Sequence, residues 1–165
     1  MKVIFSHGKD SGPWGFKIKR LAAIAQRQGF SVESIDYTDL MDPDQRVERL
    51  LAVLQDEAEP VVLAGSSMGG YVALVTSEVI DTRAVFLIAP ALYIPGFKHQ
   101  QHQSKSPCID IVHGWSDDII PVENSIRFAM QADCTLHLIS GDHTLNAVVK
   151  DVENLFELFL CRLET

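Results

Sequence analysis

Two short apolar runs in the middle of the chain are not interrupted by polar residues. They occupy residues 60–64 and 84–89. A strand with one face in water alternates apolar and polar side chains, whereas a strand covered on both faces is apolar throughout. Strands of the second kind are typical of parallel sheets with a helix layer on each side. The two runs therefore predict the centre of a parallel sheet.

Four more segments are predicted to be strands, and helical segments separate most of them. The remaining strands are expected at residues 3–5, 30–37, 108–113 and 134–139. Apolar residues recur at helical spacing within residues 14–28, 42–54, 122–132 and 145–159, and a further helix is expected after residue 70. Asp42, Pro43 and Gln45 have the pattern of a helix start with a capping box.

This alternation, without a repeat or a linker, predicts a single domain over residues 1–165. The expected fold class is α/β, with three layers, doubly wound, around a mostly parallel six-stranded sheet. Ligands bind such sheets beyond the carboxyl ends of the strands, so functional residues are expected in the loops at that edge. Residues 90–106, which are flanked by prolines and contain a Gln/His-rich run, are expected to form a short irregular lid-like loop there.

Charge and composition exclude several classes of function. The formal net charge of −8 argues against a nucleic-acid partner. No apolar run approaches the roughly 20 residues of a membrane helix, and the first strand leaves no room for a signal peptide, so a cytoplasmic location without membrane contact is expected. The three cysteines are odd in number and widely spaced, which favours reduced thiols. No zinc-ligand spacing is present, and no obligate protein partner is inferred.

Residues 65–69 read Gly-Ser-Ser-Met-Gly and lie between the predicted strand at 60–64 and a helical segment. The two glycines place Ser67 at the centre of the G-x-S-x-G pattern, in which a serine occupies a strained strand-to-helix turn with its hydroxyl held out of the sheet. Ser66 has no such pair of glycines around it. A Cβ at either glycine would collide with backbone in so tight a turn. Ser67 is therefore the candidate nucleophile.

A serine hydroxyl needs a neighbouring imidazole to take its proton, and a buried carboxylate to orient that imidazole. On a fold of this kind the expected order along the chain is Ser, then Asp or Glu, then His. After Ser67 the chain supplies His-Gly-Trp-Ser-Asp-Asp at residues 113–118, just past the fifth predicted strand. It supplies Gly-Asp-His at residues 141–143, just past the sixth. Both segments therefore end at the same edge as the serine.

With these motifs the chain resembles the α/β-hydrolase superfamily, and in particular a small lidless serine esterase of the bacterial kind. The motifs that carry the resemblance are His7-Gly8, Gly65-Ser66-Ser67-Met68-Gly69, His113-Gly114-x-x-Asp117 with Pro121, and Gly141-Asp142-His143. They occur in the family's order at predicted strand ends and span nearly the whole chain. The chain departs from the family in size, because the family's first two strands are absent and the lid is reduced to residues 90–106.

The resemblance implies a catalytic triad of Ser67, His143 and Asp117. It also implies an oxyanion hole made by two backbone N–H groups, that of Lys9 after His-Gly and that of Met68 after the serine. Asp118 is an alternative acid if the register of its loop differs. The implied reaction is hydrolysis of a small carboxylic ester or thioester with a short acyl chain, through an acyl-enzyme and without a metal or other cofactor.

Several assignments stay open at this level. The candidate residues for the substrate pocket, each of which could equally be core, are Trp14, Leu92, Tyr93, Phe97 and Trp115. The other histidines are expected to be structural or surface residues, with a weak metal pair as the alternative for two of them: His7, His113, His137, and the pair His99 and His102. The alternative function is a non-catalytic or regulatory binding protein that retains the fold, since one fold hosts many functions.

Overall fold

Six strands and five α-helices make up most of residues 1–163, the part of the chain that the computed structural model describes, and they alternate except that the fifth strand follows the fourth without a helix between them. The strands are β1 (Lys2–Ser6), β2 (Ser31–Ile35), β3 (Val61–Ser66), β4 (Ala84–Ile88), β5 (Ile109–Gly114) and β6 (Thr135–Ile139). The helices are α1 (Phe16–Arg27), α2 (Pro43–Gln55), α3 (Met68–Val79), α4 (Val122–Ala132) and α5 (Val149–Cys161), with a short 3₁₀ turn at Asn146–Val148. The predicted α/β class is confirmed. No helix of this part of the chain is long and apolar enough to cross a membrane.

The sheet is wholly parallel rather than mostly parallel, and its strand order is β2-β1-β3-β4-β5-β6. The chain winds outward in one direction from β1 to β2 and in the other from β3 to β6. The strand order therefore reverses between β1 and β3, which is where ligands bind in sheets of this kind. Because Ser6 pairs with Gly65, the loop after β1 emerges beside the turn after β3.

Each face of the sheet is covered by helices, which explains the uninterrupted apolar strands. On one face, α1 and α5 pack on the sheet, and Phe156 contacts Phe5 and Phe86 at ring-centroid distances of 6.1 and 5.0 Å. On the other face, residues of α2, α3 and α4 form a second buried cluster. Helix α3 is buried over most of its length, as expected for a helix that is apolar on all sides.

Element boundaries differ from the predictions where local backbone geometry interrupts a helical pattern. Helix α1 begins only at Phe16, because Gly15 before it is extended. Asp42 caps α2 as predicted, but its carboxylate accepts from the N–H of Asp44 at 2.8 Å rather than from that of Gln45. The final helix begins at Val149, since Leu145 adopts a left-handed conformation with φ 54° and starts a 3₁₀ turn instead.

Candidate active site

The turn after β3 holds Ser67 in a conformation that only a crowded turn maintains. Its backbone angles are φ 54° and ψ −119°, and α3 starts at the next residue. Such angles cost a non-glycine residue roughly 1–3 kcal/mol, so the surrounding packing must enforce them. That packing depends on the glycines: a Cβ on Gly65 would overlap the carbonyl of Gly69, and one on Gly69 would overlap the carbonyl of Ser6. Helix α3 therefore approaches β1 and β3 closely enough to present Ser67 at the sheet edge.

Replacing Gly69 by alanine is expected to destabilise the fold strongly, because the overlap is with backbone at the end of β1 and not with a movable side chain. We expect a loss of about 3 kcal/mol or more in the free energy of unfolding. For a chain of this size that corresponds to a fall in Tm of about 6 °C or more, measured by thermal denaturation. Gly12→Ala is the control, since an added Cβ there meets nothing within 4 Å. Equal Tm values for the two variants would contradict the packing argument.

Three side chains from distant parts of the chain meet at the carboxyl edge of the sheet. Ser67 Oγ lies 3.0 Å from His143 Nε2, and His143 Nδ1 lies 2.8 Å from Asp117 Oδ2. Since a carboxylate accepts hydrogen bonds, Nδ1 carries the ring proton and donates to Asp117, while Nε2 is free to accept from the serine hydroxyl. This order of donors and acceptors matches that of a Ser-His-Asp triad.

The carboxylate of Asp117 is buried and held by four donors. Oδ1 accepts from the N–H groups of Ile119 and Ile120 at 2.9 and 2.8 Å. Oδ2 accepts from His143 and also from His113 Nε2, which lies 2.9 Å away. Burial raises the pKa of the Asp117 carboxyl, but the hydrogen bonds from His143 and the two amides outweigh burial, and the net pKa is lowered. Asp117 is therefore charged and fixed in place beside the His143 ring.

Two fully buried histidines hold the loops on either side of the serine. His113 Nδ1 accepts from the Ser125 hydroxyl at 2.7 Å, which leaves Nε2–H to donate to Asp117. His7 Nε2 accepts from the N–H of Tyr37 at 3.0 Å, which leaves Nδ1–H to donate to the carbonyl of Gly8 at 2.7 Å. Burial lowers the pKa of both rings below the ordinary 6.5. Both are therefore neutral hydrogen-bonding residues, as the sequence indicated.

These two rings predict that the protein becomes less stable in weak acid. Below an ordinary pKa of 6.5 the unfolded chain takes up protons at both histidines, whereas the folded chain does not until lower pH. The free energy of unfolding is therefore highest above about pH 6.5, and it decreases as the pH falls below that value. We expect a loss on the order of 1–3 kcal/mol between about pH 7.5 and pH 5, measured by urea unfolding. His113→Gln should show a shallower slope, and a pH-independent wild type would contradict the prediction.

The loop after β1 and the first turn of α3 bring two unpaired N–H groups to the serine. The N–H of Lys9 has no acceptor among residues 1–163. The N–H of Met68 is the first of its helix, and the opening N–H groups of a helix have no acceptor within it. The helix N-terminus also favours negative charge at this point. Both residues line the space in front of Ser67, which is where oxyanion-hole donors are needed.

A cavity of about 660 Å³ opens at this edge and contains both Ser67 and His143 in its wall. Its two sides differ in chemistry. The apolar side is formed by α3 and by the loops that follow β4 and β5, and its residues are Met68, Ala91, Ile94, Phe97, Ile119 and Ile120. The polar side comes from the loop after β1, from Lys17 at the start of α1 and from the segment after His143, and its residues are Lys9, Asp10, Ser11, Lys17, Thr144 and Asn146. Phe16 and Ile18 of α1 also line the cavity.

Of the five residues expected to form the substrate pocket, only Phe97 lines this cavity, and the other four require correction. Leu92 is fully buried in the core on the α3 side of the sheet. Tyr93 turns away to stack under the guanidinium of Arg127 at 3.9 Å. Trp14 and Trp115 are 44% and 59% exposed on the outer surface. The aromatic residues near the motifs were therefore poor markers of the cavity, because their loops direct them elsewhere.

Asp118 is exposed and makes no hydrogen bond to His143 in the described chain, whereas Asp117 does. His102 is buried against Glu78, with 3.1 Å between Nδ1 and the carboxylate. His137 contacts Asp110 at 2.9 Å in a partly exposed position. Within residues 1–163 no group of three His, Cys, Asp or Glu side chains could hold a metal ion.

Two residues that support the site were not singled out from the sequence. Lys17, on α1, donates from Nζ to the carbonyl of Thr144 at 2.6 Å and so restrains the residue next to His143. Arg46, on α2, donates to the carbonyls of His7 and Gly8 at 3.1 and 3.3 Å. A signal for Arg46 existed, because it lies one turn before Leu50 on the apolar stripe of its helix. A charged residue on such a stripe has a buried partner or a buried function.

A family model described as Uncharacterised protein family (UPF0227) matches residues 2–99. A solved structure from Xanthomonas campestris pv. campestris, a protein of the alpha/beta hydrolase superfamily, is 35% identical, with 98% of each chain covered and a TM-score of 0.90. No curated protein matches the chain.

More distant structures share the fold alone. Est1E from Butyrivibrio proteoclasticus, solved with ferulic acid bound, is 18% identical with a TM-score of 0.84, and the match covers 98% of this chain and 88% of Est1E. Mouse alpha/beta hydrolase domain-containing protein 10 is also 18% identical, with a TM-score of 0.82 and coverage of 98% and 90%. From the family match and the 35% identity, the chain belongs to the UPF0227 family and to the α/β-hydrolase superfamily.

Proposed function

We propose that this hydrolase is a serine esterase, which cleaves a small carboxylic ester or thioester through an acyl-enzyme. The observation that carries the proposal is the pair of hydrogen bonds from Ser67 to His143 and from His143 to Asp117, at 3.0 and 2.8 Å. Ser67 Oγ attacks the substrate carbonyl as its proton passes to His143 Nε2. Asp117 keeps the ring in the correct tautomer and stabilises the imidazolium that forms.

The negative charge that develops on the carbonyl oxygen requires donors that are already in place. The N–H groups of Lys9 and Met68 supply them, since neither is used within the fold. His143 then returns its proton to the leaving alcohol or thiol, and the acyl group remains on Ser67. Water enters, gives a proton to His143 and attacks the acyl carbonyl. The bond to Ser67 Oγ then breaks as His143 returns that proton to Oγ, and the carboxylic acid is released. No step needs a metal or a redox cofactor.

The two sides of the cavity suit different parts of the substrate. The apolar side suits the acyl chain, because burying each methylene there contributes about 0.8 kcal/mol. The polar side, which includes Lys9 and Lys17, suits the leaving group. Because Ile94 and Phe97 come from a short irregular connection and not from a lid domain, the acyl chain is expected to be short.

The test is turnover of p-nitrophenyl acetate, butyrate and hexanoate, together with a thioester of matched acyl chain. A fluorophosphonate probe should modify wild-type protein, and mass spectrometry of its peptides should place the adduct on Ser67. Rates should rise from acetate to butyrate as more of the apolar side is used. Absence of both turnover and modification would instead support a binding protein that retains the hydrolase fold.

A further inference from the structure

Arg46 is a buried cation with an unusual set of partners. Its side chain is 0% exposed, and within residues 1–163 no carboxylate lies within ion-pairing distance of it. Its donors reach only backbone carbonyls: Nε to Leu40 at 2.8 Å, and Nη1 to His7 and Gly8 at 3.1 and 3.3 Å. Nη2 has no acceptor in the described chain. The guanidinium also lies over the Tyr37 ring, 5.3 Å from its centroid, but burying a charge without a counter-charge still costs several kcal/mol.

The carbonyls that Arg46 holds belong to the loop that carries the Lys9 N–H. The C=O of Gly8 and the N–H of Lys9 form one peptide group, which is planar and trans. In such a group the two bonds point in opposite directions. When Arg46 draws the Gly8 carbonyl toward α2, the Lys9 N–H is therefore turned away from α2, toward the cavity that Lys9 lines.

The charge of Arg46 adds to this geometric effect. A cation that donates to a carbonyl forms a stronger hydrogen bond than a neutral donor and polarises the peptide group. The partial positive charge at the opposite end, on the Lys9 N–H, is increased as a result. His7 Nδ1–H also donates to the Gly8 carbonyl, at 2.7 Å, but it is neutral. The Ser11 hydroxyl donates to the same carbonyl at 3.4 Å and is also neutral, so Arg46 is the one charged donor to this peptide among residues 1–163.

We infer that Arg46 is the positioning residue of the oxyanion hole: it orients and polarises the Gly8–Lys9 peptide so that the Lys9 N–H donates to the substrate oxyanion. This inference rests on the hydrolase reaction proposed above. Arg46 touches neither substrate nor Ser67, and acts only through the backbone.

The experiment compares Arg46→Met and Arg46→Lys with Arg49→Met. Arg49 lies on the same helix, pairs with Asp39 at 2.6 Å and contacts nothing in the cavity, so it controls for loss of an arginine from α2. Arg46→Met should lower kcat by roughly 10² to 10³-fold, the effect of losing one oxyanion donor, with KM little changed. Arg46→Lys keeps the charge but cannot span the three carbonyls, so its loss should be smaller. Arg49→Met should match wild type.

A purely structural role for Arg46 predicts a different pattern. A trifluoromethyl ketone forms a tetrahedral adduct with its oxygen in the oxyanion hole, so its Ki should weaken in parallel with kcat/KM in the Arg46 variants. Rates are expressed per site titrated with the fluorophosphonate, which removes the contribution of unfolded protein. If rate per titrated site and Ki stay at the Arg49→Met values, the inference is overturned. If Arg46→Met does not fold, Arg46→Lys carries the same comparison.

A second readout does not depend on turnover. The backbone amide resonance and hydrogen exchange of Lys9 should change in Arg46→Lys, while those of Met68 stay near wild type. If wild type hydrolyses no ester, the proposed function fails, and the Lys9 amide still reports whether Arg46 orients the loop. If wild type is active and the Lys9 amide is unaffected by Arg46→Lys, the inference about Arg46 fails and the proposed function stands.

Discussion

Replacing Ser67 by alanine is expected to reduce ester hydrolysis by roughly 10⁴ to 10⁶-fold in kcat, because among residues 1–163 only the Ser67 hydroxyl is hydrogen-bonded to His143. The fold should be preserved, since alanine introduces no new volume into the turn after β3. The same change should abolish covalent labelling by a fluorophosphonate. Initial rates with p-nitrophenyl butyrate and intact-protein mass after labelling measure the two effects.

The matched control for this result is Ser66→Ala, one residue earlier in the same turn. Ser66 also faces the cavity, but its hydroxyl makes no hydrogen bond to His143 in the described chain. We expect its activity to stay within about tenfold of wild type, as for an ordinary change at the edge of a site. Equal labelling of the Ser67→Ala variant and wild type would rule out Ser67 as the nucleophile.

Replacing Asp117 by asparagine is expected to lower kcat about 10⁴-fold while leaving KM nearly unchanged. If the amide nitrogen replaces Oδ2, its N–H faces His143 Nδ1, where the carboxylate had accepted a hydrogen bond. The His143 ring is then held in the wrong tautomer or loses its orientation. The variant also loses the charge that stabilises the imidazolium. The amide has a single oxygen. It can accept at the former Oδ1 position, from the N–H groups of Ile119 and Ile120, or at the former Oδ2 position, from His113 Nε2–H, but not at both. Stopped-flow or steady-state assays at neutral pH measure this loss.

Asp118→Asn is the control, because it changes the neighbouring carboxylate in the same way on an exposed side chain. Its activity should equal that of wild type. The opposite pattern, with Asp118→Asn inactive and Asp117→Asn active, would mean that the loop after β5 takes another register in solution. The pair of variants therefore decides between the two acids that the sequence left open.

The predicted architecture depended on local patterns, which is why most of it could be derived from the sequence. Uninterrupted apolar runs reflect burial on both faces of a strand, and β3 and β4 lie where those runs are. The short α/β connections leave few possible windings of the sheet. The predicted first residues of α1 and α5 were wrong, because the backbone conformations of Gly15 and Leu145 decide where each helix begins.

The meeting of Ser67, Asp117 and His143 could also be anticipated, because parallel strands all end at one edge and each of the three follows a strand end. The lining of the cavity could not. Whether a side chain faces the cavity depends on how loops from separate strands pack against each other, and an aromatic residue near a motif has no fixed direction. Trp14 and Trp115 are exposed for that reason, while the smaller Ala91 and Ile94 line the wall.

By itself, the sequence predicted the order of strands and helices and the strained turn at Ser67, because each depends on neighbours within a few positions. Asp117 and His143 followed from the resemblance to the hydrolase superfamily, and Asp118 stayed open as an alternative acid. Only the tertiary structure decided that His113 is a fourth donor to Asp117 and that Arg46 reaches across from α2 to the loop after β1. Those contacts join residues on separate elements, and a buried polar group takes whatever partner the packing of the whole chain places within reach.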